Sequence, residues 1–343
     1  MKRACGRIED AIGEMGIRAA GERHGVASLL FTYRCSIRCR HCLFGCTADR
    51  PDVVMSARQV AKGLALLHET GRVIHVAGGE PMIYWDEFSS CLRAAHEAGD
   101  APHFVETNCS FATSERPAAE RLEFLASRGV RGLLASADPF HQEMVPAERF
   151  LLVRRLAREV FGERNFWGSE NPDEEITALE QVSKDPAQLR EYVRSHTPVM
   201  VGTARKELAS YLDQYDPRND RLPRMGWRGP RRGTGCMDQF SAESLWELHL
   251  DPYGNIQTNC GIILGKWPEM SPAEVLANGP ENANAFTKIL CEQGPLGLAE
   301  LATIRYDFVW PDLVSQDCEL CFLARKHLRA YHPEVFGPAE IYD

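Results

Sequence analysis

The sequence predicts an α/β protein: a partial, TIM-like (β/α)6 barrel followed by a small α+β region. Three observations carry that prediction. Strand-like and helix-like runs alternate from about Leu29 to about Gly202, the pattern of parallel β/α units. Four consecutive strand-like runs end in cysteines, glycines or polar residues, and strand ends are where β/α barrels gather their chemistry. Pro, Gly and Arg then crowd Asp216 to Gly235 ahead of a new strand–turn–strand pattern, the composition of a linker. A chain of 343 residues with 44% apolar content buries a sizeable core, one large domain plus a smaller one. The expected bounds are 1–28 for an N-terminal extension, 29–215 for the barrel, 216–235 for the linker and 236–343 for the C-terminal region.

The elements follow in order. Leu29–Tyr33 reads as the first strand, running into a cysteine-rich loop. Ser56-Ala57-Arg58-Gln59 reads as a capping box, and the helix it opens carries Val60, Leu64 and Leu67 on one face and stops at Gly71. Val73–Ala77 is the second strand; Phe88, Leu92 and Ala95 mark a helix ending near Gly99. His103–Glu106 is the third strand, and the helix bearing Leu122 and Leu125 ends at Gly129. Arg131–Ala135 is the fourth strand, with a fifth near Asn165–Trp167 and a sixth at Thr197–Val201. In the C-terminal region Leu248 and Leu250 alternate with Glu247 and His249, as in a half-buried strand, and a turn at Asp251–Asn255 returns the chain toward Cys260.

Composition narrows the function. A net charge of −9 argues against a nucleic-acid partner. No apolar run is long enough to span a bilayer, and the N-terminus has charge without a following apolar stretch, so no secretory signal is read. Twelve cysteines at metal-type spacings point to metal ligation rather than disulfides. A cytoplasmic, oxygen-sensitive protein is expected.

The cysteines fall into two sets. Cys35, Cys39 and Cys42 are spaced C-x3-C-x2-C. Three thiolates on one short loop hold three irons of a [4Fe–4S] cube and leave the fourth open to bind and activate a ligand. Cys236 and Cys260 flank the second region's strand and turn, and Cys318 and Cys321 form a C-x2-C pair. Four thiolates fully ligate a second cluster; structural zinc at the same four residues is the alternative.

The triad and the Gly78-Gly79-Glu80 segment resemble the radical S-adenosylmethionine (radical SAM) superfamily, over roughly Leu29 to Cys321. The resemblance implies that the triad's cluster chelates SAM, which is reduced by flavodoxin or ferredoxin and cleaved to methionine and a 5′-deoxyadenosyl radical. It also implies SAM contacts: Gly78, Gly79 and Glu80 at the methionine amino group, Asn108 (with Thr107) at the third strand end, Ser136 and Asp138 at the ribose, and His41 beside the adenine. Cys236, Cys260, Cys318 and Cys321 are similar to the "twitch" form of the SPASM extension, which holds one auxiliary [4Fe–4S] cluster. Gly254 ahead of Cys260 matches that pattern with one residue more than usual.

Cys109 follows Thr107-Asn108 where the family commonly has glycine; a buried small residue is the ordinary reading, and hydrogen-atom return to substrate the catalytic one. Structural roles are expected of Cys5, Cys46, Cys91 and Cys291. Arg218, Arg221, Arg224, Arg228, Arg231 and Arg232 read as a solvated linker, or, folded over the barrel mouth, as a site for a carboxylate or phosphate. The substrate is expected to be a ribosomally made peptide undergoing crosslinking, oxidation or epimerisation. About 28 residues ahead of the first strand are too few for a separate leader-binding domain. A small molecule such as a sugar or aminocyclitol is the rival, and a non-catalytic iron–sulfur or zinc protein the remaining alternative.

Overall fold

The computed structural model describes residues 2–223, 236, 240 and 245–343. Its frame is one open eight-stranded sheet of order β5-β4-β3-β2-β1-β6-β7-β8. The strands are β1 (Val26–Leu30), β2 (Val73–Ala77), β3 (Phe104–Thr107), β4 (Gly132–Ala135), β5 (Phe166–Trp167), β6 (Glu247–Leu250), β7 (Asn255–Thr258) and β8 (Ile263–Lys266). From β5 to β6 every pairing is parallel, while β6–β7 and β7–β8 are antiparallel. The fold is therefore a parallel-dominated α/β sheet, a partial barrel that does not close.

Local signals explain the helices between strands. The helix α2 (Ala57–His68) follows the α1 helix (Lys2–His24) and opens on the expected capping box: Gln59 N donates to Ser56 Oγ at 3.3 Å, and Ser56 N to Gln59 Oε1 at 3.0 Å. Its buried face is Val60, Gly63, Leu64, Leu66 and Leu67. The helix α3 (Trp85–Ala98) ends on Gly99 in the left-handed conformation. Then come α4 (Glu115–Ser127), α5 (Pro139–Gln142), α6 (Ala147–Phe161), α7 (Asp173–Val182), α8 (Pro186–Ser195) and α9 (Gly202–Leu208). Beyond β8 lie α10 (Pro272–Asn278), α11 (Ala285–Tyr306) and α12 (Asp317–Leu328). No helix among the described residues is long and apolar enough to cross a membrane.

Two expectations on strands need correction. The first strand starts and ends three residues earlier than read, at Val26–Leu30 rather than Leu29–Tyr33. Past the strand, Thr32 forms an isolated bridge with Val54 and its O accepts from Gly79 N, while Tyr33 OH donates to Asp251 Oδ2. Thr197–Val201 is not a strand. Pro198 has no N–H to give a ladder, and Gln316 takes the place of one, accepting from Met200 N and donating to Pro198 O. The sixth parallel strand is β6, drawn from the C-terminal region and paired with β1 in register Leu29↔Leu250.

The core cluster beneath the sheet's N-terminal ends is built by α1. Ile8, Ile12, Ile17 and Ala20 pack on Val26, Val73 and Phe104, the first residues of β1, β2 and β3. The so-called extension is thus the plug of the barrel's lower end. At the upper end, register aligns Leu30 with Ala77 and Thr107 with Ala135. The residues that follow those strands share one rim.

Candidate active site

Beyond β1 the chain forms the loop that carries Cys35, Cys39 and Cys42. It is held at several points along its length. Cys35 N donates to Thr47 O at 3.1 Å, and Thr203 N, at the start of α9, to Cys42 O at 3.0 Å. Gly202 permits that approach: its φ is 55°, and a Cβ there would lie 2.5 Å from Cys42 O. Arg50 ties Gly45 O and Glu340 O together at 2.7 Å each, clasping the loop to the C-terminal segment.

All three cysteines line one cavity of about 560 Å³. Their sulfurs are distinct electrostatically. A hydrogen bond from the Cys46 thiol, aided by Cys46 N at 3.3 Å, brings the Cys42 thiol down to about 6. Burial pushes the Cys35 and Cys39 thiols up; Asn108 Nδ2 donates to Cys35 Sγ at 3.4 Å. Among the described residues the three sulfurs do not converge within 4.8 Å. A single tetrahedral ion with bonds of about 2.3 Å brings its sulfurs to about 3.8 Å of one another. The iron of a cubane would deprotonate the thiols that bind it. Cys39 does meet His41 and His141 within 4.8 Å. There His141 Nδ1 is bonded to Asp138 Oδ2 at 2.6 Å, so that ring is already oriented by a carboxylate.

The rim residues sit beside this loop. Gly78 and Gly79 line the cavity, and a Cβ on Gly79 would fall 1.9 Å from Arg34 O. Only glycine lets β2's end lie against the cysteine loop. Gly79 N and Glu80 N donate to Thr32 O and Arg34 O, at 2.7 and 3.1 Å. Glu80 itself is fully buried and turned away from the cavity. Its carboxylate accepts from Met82 N (3.0 Å), Asn108 N (2.7 Å) and Thr107 Oγ1 (3.0 Å), tying β2's end to β3's. Thr107, Asn108 and Ser136 line the cavity. Asp138 lines it too, but it caps α5 through Phe140 N at 2.9 Å and His141 N at 3.2 Å. Burial opposes its ionisation, yet His141 and His41 hold the Asp138 carboxyl well below the usual range. His41 also lines the cavity, tilted against Phe140 with ring centroids 4.7 Å apart.

The sequence profile of the Radical SAM superfamily matches residues 29–166, from within β1 to the start of β5 and across the whole cysteine loop. Residues 29–166 thus form a radical SAM domain. No curated protein matches it. Among solved structures it is similar to the crystal structure of BtrN in complex with AdoMet and 2-DOIA, at 13% identity over 79% of this chain and 89% of that one, with a TM-score of 0.43. It is similar also to the crystal structure of Streptococcus suis SuiB bound to S-adenosylmethionine, at 11% identity over 82% and 77% of the two chains, with a TM-score of 0.35.

Cys109 does not join this radical SAM cavity. Its side chain is fully buried and it is absent from the lining, so the catalytic thiol reading is set aside. Its φ of 65° lies in the left-handed region that favours glycine. Cys109→Ala is expected to cost about 1 kcal/mol of stability, the loss of one buried sulfur, and to leave 5′-deoxyadenosine formation and product unchanged. Thermal unfolding and product analysis check it, and a folded variant without turnover would restore the thiol to the chemistry.

Several cavity residues escaped the sequence reading. His75 (β2), Glu106 (β3), Glu247 and His249 (β6) and Asn259 all line the cavity's interior. Leu248 and Leu250 pack in the core as the alternation implies, while Glu247 and His249, on the strand's other face, meet the cavity. His75 Nε2 meets Glu247 Oε1 at 2.6 Å, and His249 bonds Ser28 Oγ and Asn259 Oδ1. Burial works against the Glu247 carboxyl's charge, but His249 and His75 bring it down to about 2; burial raises Glu106. A polar residue in the middle of an apolar strand was the available signal.

Of the C-terminal cysteines, Cys260 and Cys321 share a neighbour in Arg325. Cys236 N donates to Leu290 O on α11 at 2.8 Å. Cys318 and Cys321 stand on the first turns of α12; burial pushes the Cys321 thiol up to about 11, against the opposing charge of Arg325. The buried Arg325 donates to Cys260 O and interacts with the Cys321 sulfur. Of the arginine run, Arg218 donates to Trp310 O and Pro311 O. Arg224, Arg228, Arg231 and Arg232 lie outside the described residues.

Proposed function

We propose that this radical SAM enzyme takes a hydrogen atom from a carbon of a small polar substrate held inside the barrel. The carrying observation is the cavity itself, with the three cysteines at its rim and a carboxylate–histidine cluster within it. Cys35, Cys39 and Cys42 would hold the [4Fe–4S] cluster, and Gly78, Gly79, Asn108, Ser136 and His41 would border SAM. With an electron from flavodoxin or ferredoxin, the bound cluster and SAM supply the 5′-deoxyadenosyl radical. The protein's part is to orient the substrate C–H and exclude water. At about 560 Å³ the cavity falls within the range of small-molecule sites, roughly 300–1,000 Å³, and SAM takes a share of it. That favours a compact substrate over a ribosomal peptide. A cytoplasmic setting suits both the chemistry and the thiols.

Reduced by dithionite after anaerobic reconstitution, the protein is expected to release 5′-deoxyadenosine and methionine from SAM. A cluster-loaded preparation that yields neither would defeat this reading.

Cys236, Cys260, Cys318 and Cys321 are proposed to hold an auxiliary [4Fe–4S] cluster. Four thiolates complete a cubane with no open iron, and the same four would also suit a structural zinc. Reconstituted protein should carry about eight irons per chain, falling to about four in Cys321→Ser. Four irons and one zinc in the unaltered protein would identify zinc instead.

A further inference from the structure

One face of α12 carries a buried cation beside the C-terminal cysteines. Cys318, Cys321 and Arg325 follow one another at helical spacing, which puts all three on the same side of the helix. Arg325 is 1% exposed, and its guanidinium lies over the Phe322 and Tyr342 rings, 5.6 and 5.7 Å from their centroids. Its Nη1 donates to Cys260 O and, at 3.0 Å, to Tyr342 OH. Its Nε is buried with no hydrogen-bond partner among the described residues. Among those residues the guanidinium forms no ion pair with a carboxylate; the groups able to bear negative charge against it are Tyr342, Cys321 and Cys260.

A buried charge without a counter-charge is costly. The two groups that Nη1 holds are neutral oxygens, which a neutral amide would hold as well. A guanidinium stays charged in any protein, so its place here calls for an anion. Tyr342 OH donates onward to Gly261 O at 3.3 Å, which keeps it a neutral hydroxyl. The sulfurs of Cys260 and Cys321 remain, and a thiol that ligates a metal is deprotonated. Thr258 Oγ1, 3.2 Å from Cys260 Sγ, donates to that sulfur in its ligated form. Four thiolates leave a [4Fe–4S] core net negative, and a fixed positive charge beside them favours the state with one more electron.

We propose that Arg325 is the counter-cation of the C-terminal centre and that its charge raises the reduction potential of the auxiliary [4Fe–4S] cluster. Arg325 is a positioning residue, acting through Cys260 and Cys321. This rests on the reading of Cys236, Cys260, Cys318 and Cys321 as an iron–sulfur site.

The test uses full-length, anaerobically reconstituted holoenzyme in three forms: unaltered, Arg325→Lys and Arg325→Gln. Each is titrated with reductant while electron paramagnetic resonance follows the auxiliary cluster, whose signal is the one that survives Cys42→Ala. At a fixed potential, Arg325→Gln is expected to lower the ratio of reduced to oxidised auxiliary cluster at least about tenfold, about 59 mV for one electron. Arg325→Lys should keep most of that ratio. A cluster-loaded Arg325→Gln that titrates like the unaltered protein overturns the proposal. So does an equal fall in both variants, which would follow packing and not charge. A second measurement stands even if Arg325→Gln fails to fold. In unaltered protein grown on arginine labelled with heavy nitrogen, pulsed resonance of the reduced auxiliary cluster should show coupling to that label, absent in Arg325→Lys. No coupling, or coupling that persists in Arg325→Lys, overturns the proposal. Metals are counted in the same preparations. About four irons and one zinc per chain refute the parent reading and this inference with it, whereas two clusters indifferent to the charge of Arg325 refute this inference alone.

Discussion

Replacing Cys42 with alanine is expected to abolish 5′-deoxyadenosine formation and to remove the triad cluster's share of the iron–sulfur absorbance, about four of about eight irons per chain. Cys42 is the triad member whose thiol is already brought toward ionisation, by Cys46, before any metal binds. Two thiolates leave a cube open at two corners, and neither Cys35 nor Cys39, both raised by burial, compensates. The same loss is expected for Cys35→Ala and Cys39→Ala. Cys46→Ala is the informative control. Its thiol and N–H both face Cys42, so it acts from outside the ligand set, and its loss should weaken iron loading by about 10- to 100-fold at most. Iron quantitation, absorbance and SAM cleavage on the four variants measure this. If Cys46→Ala lost the cluster as completely as Cys42→Ala, the chain would have four ligands at this site and no open iron.

Glu80→Ala is expected to be the most destabilising single change near the cavity. It strands Met82 N, Asn108 N and Thr107 Oγ1 in a fully buried place. Orphaned buried donors cost about 1–3 kcal/mol each, so a loss on the order of 4 kcal/mol is expected. Freed from Glu80, the turn at Thr107-Asn108 also loosens the Asn108 contact to Cys35. Glu80→Gln separates packing from charge. Burial raises the Glu80 carboxyl from 4.5 to about 7, against the opposing hydrogen bonds. The native state therefore binds that proton more tightly than the unfolded chain does. Its contribution is complete below about pH 4.5 and is lost as pH rises through about 7. Between those limits the stability of Glu80→Gln relative to the unaltered protein should improve by on the order of 3 kcal/mol. Denaturant titrations at pH 4.5 and 8 test it, and a pH-independent difference would show that the acid is not buried as described.

Patterns confined to a few neighbouring residues translated directly into structure. The second strand has the bounds its apolar run implies, and the Ser56–Gln59 box and the Gly99 stop both form. The reason is that a capping box, a left-handed glycine and a tight cysteine spacing are satisfied by atoms within a turn or two. The rim of Gly78, Asn108 and Ser136 was readable for a related cause: parallel strands place their ends on one side.

Long-range pairing was invisible to that reading. Alternation along Glu247–Leu250 marks a two-faced strand but does not say which face meets the core, nor that β1 is its neighbour. His75 and Glu247 lie 172 residues apart and meet only because β2 and β6 flank β1. Apart from its cysteine rim, the cavity's chemistry is thus a product of register. Backbone pairing between distant strands, set by the whole core, turned ordinary mid-strand histidines and glutamates toward a common space.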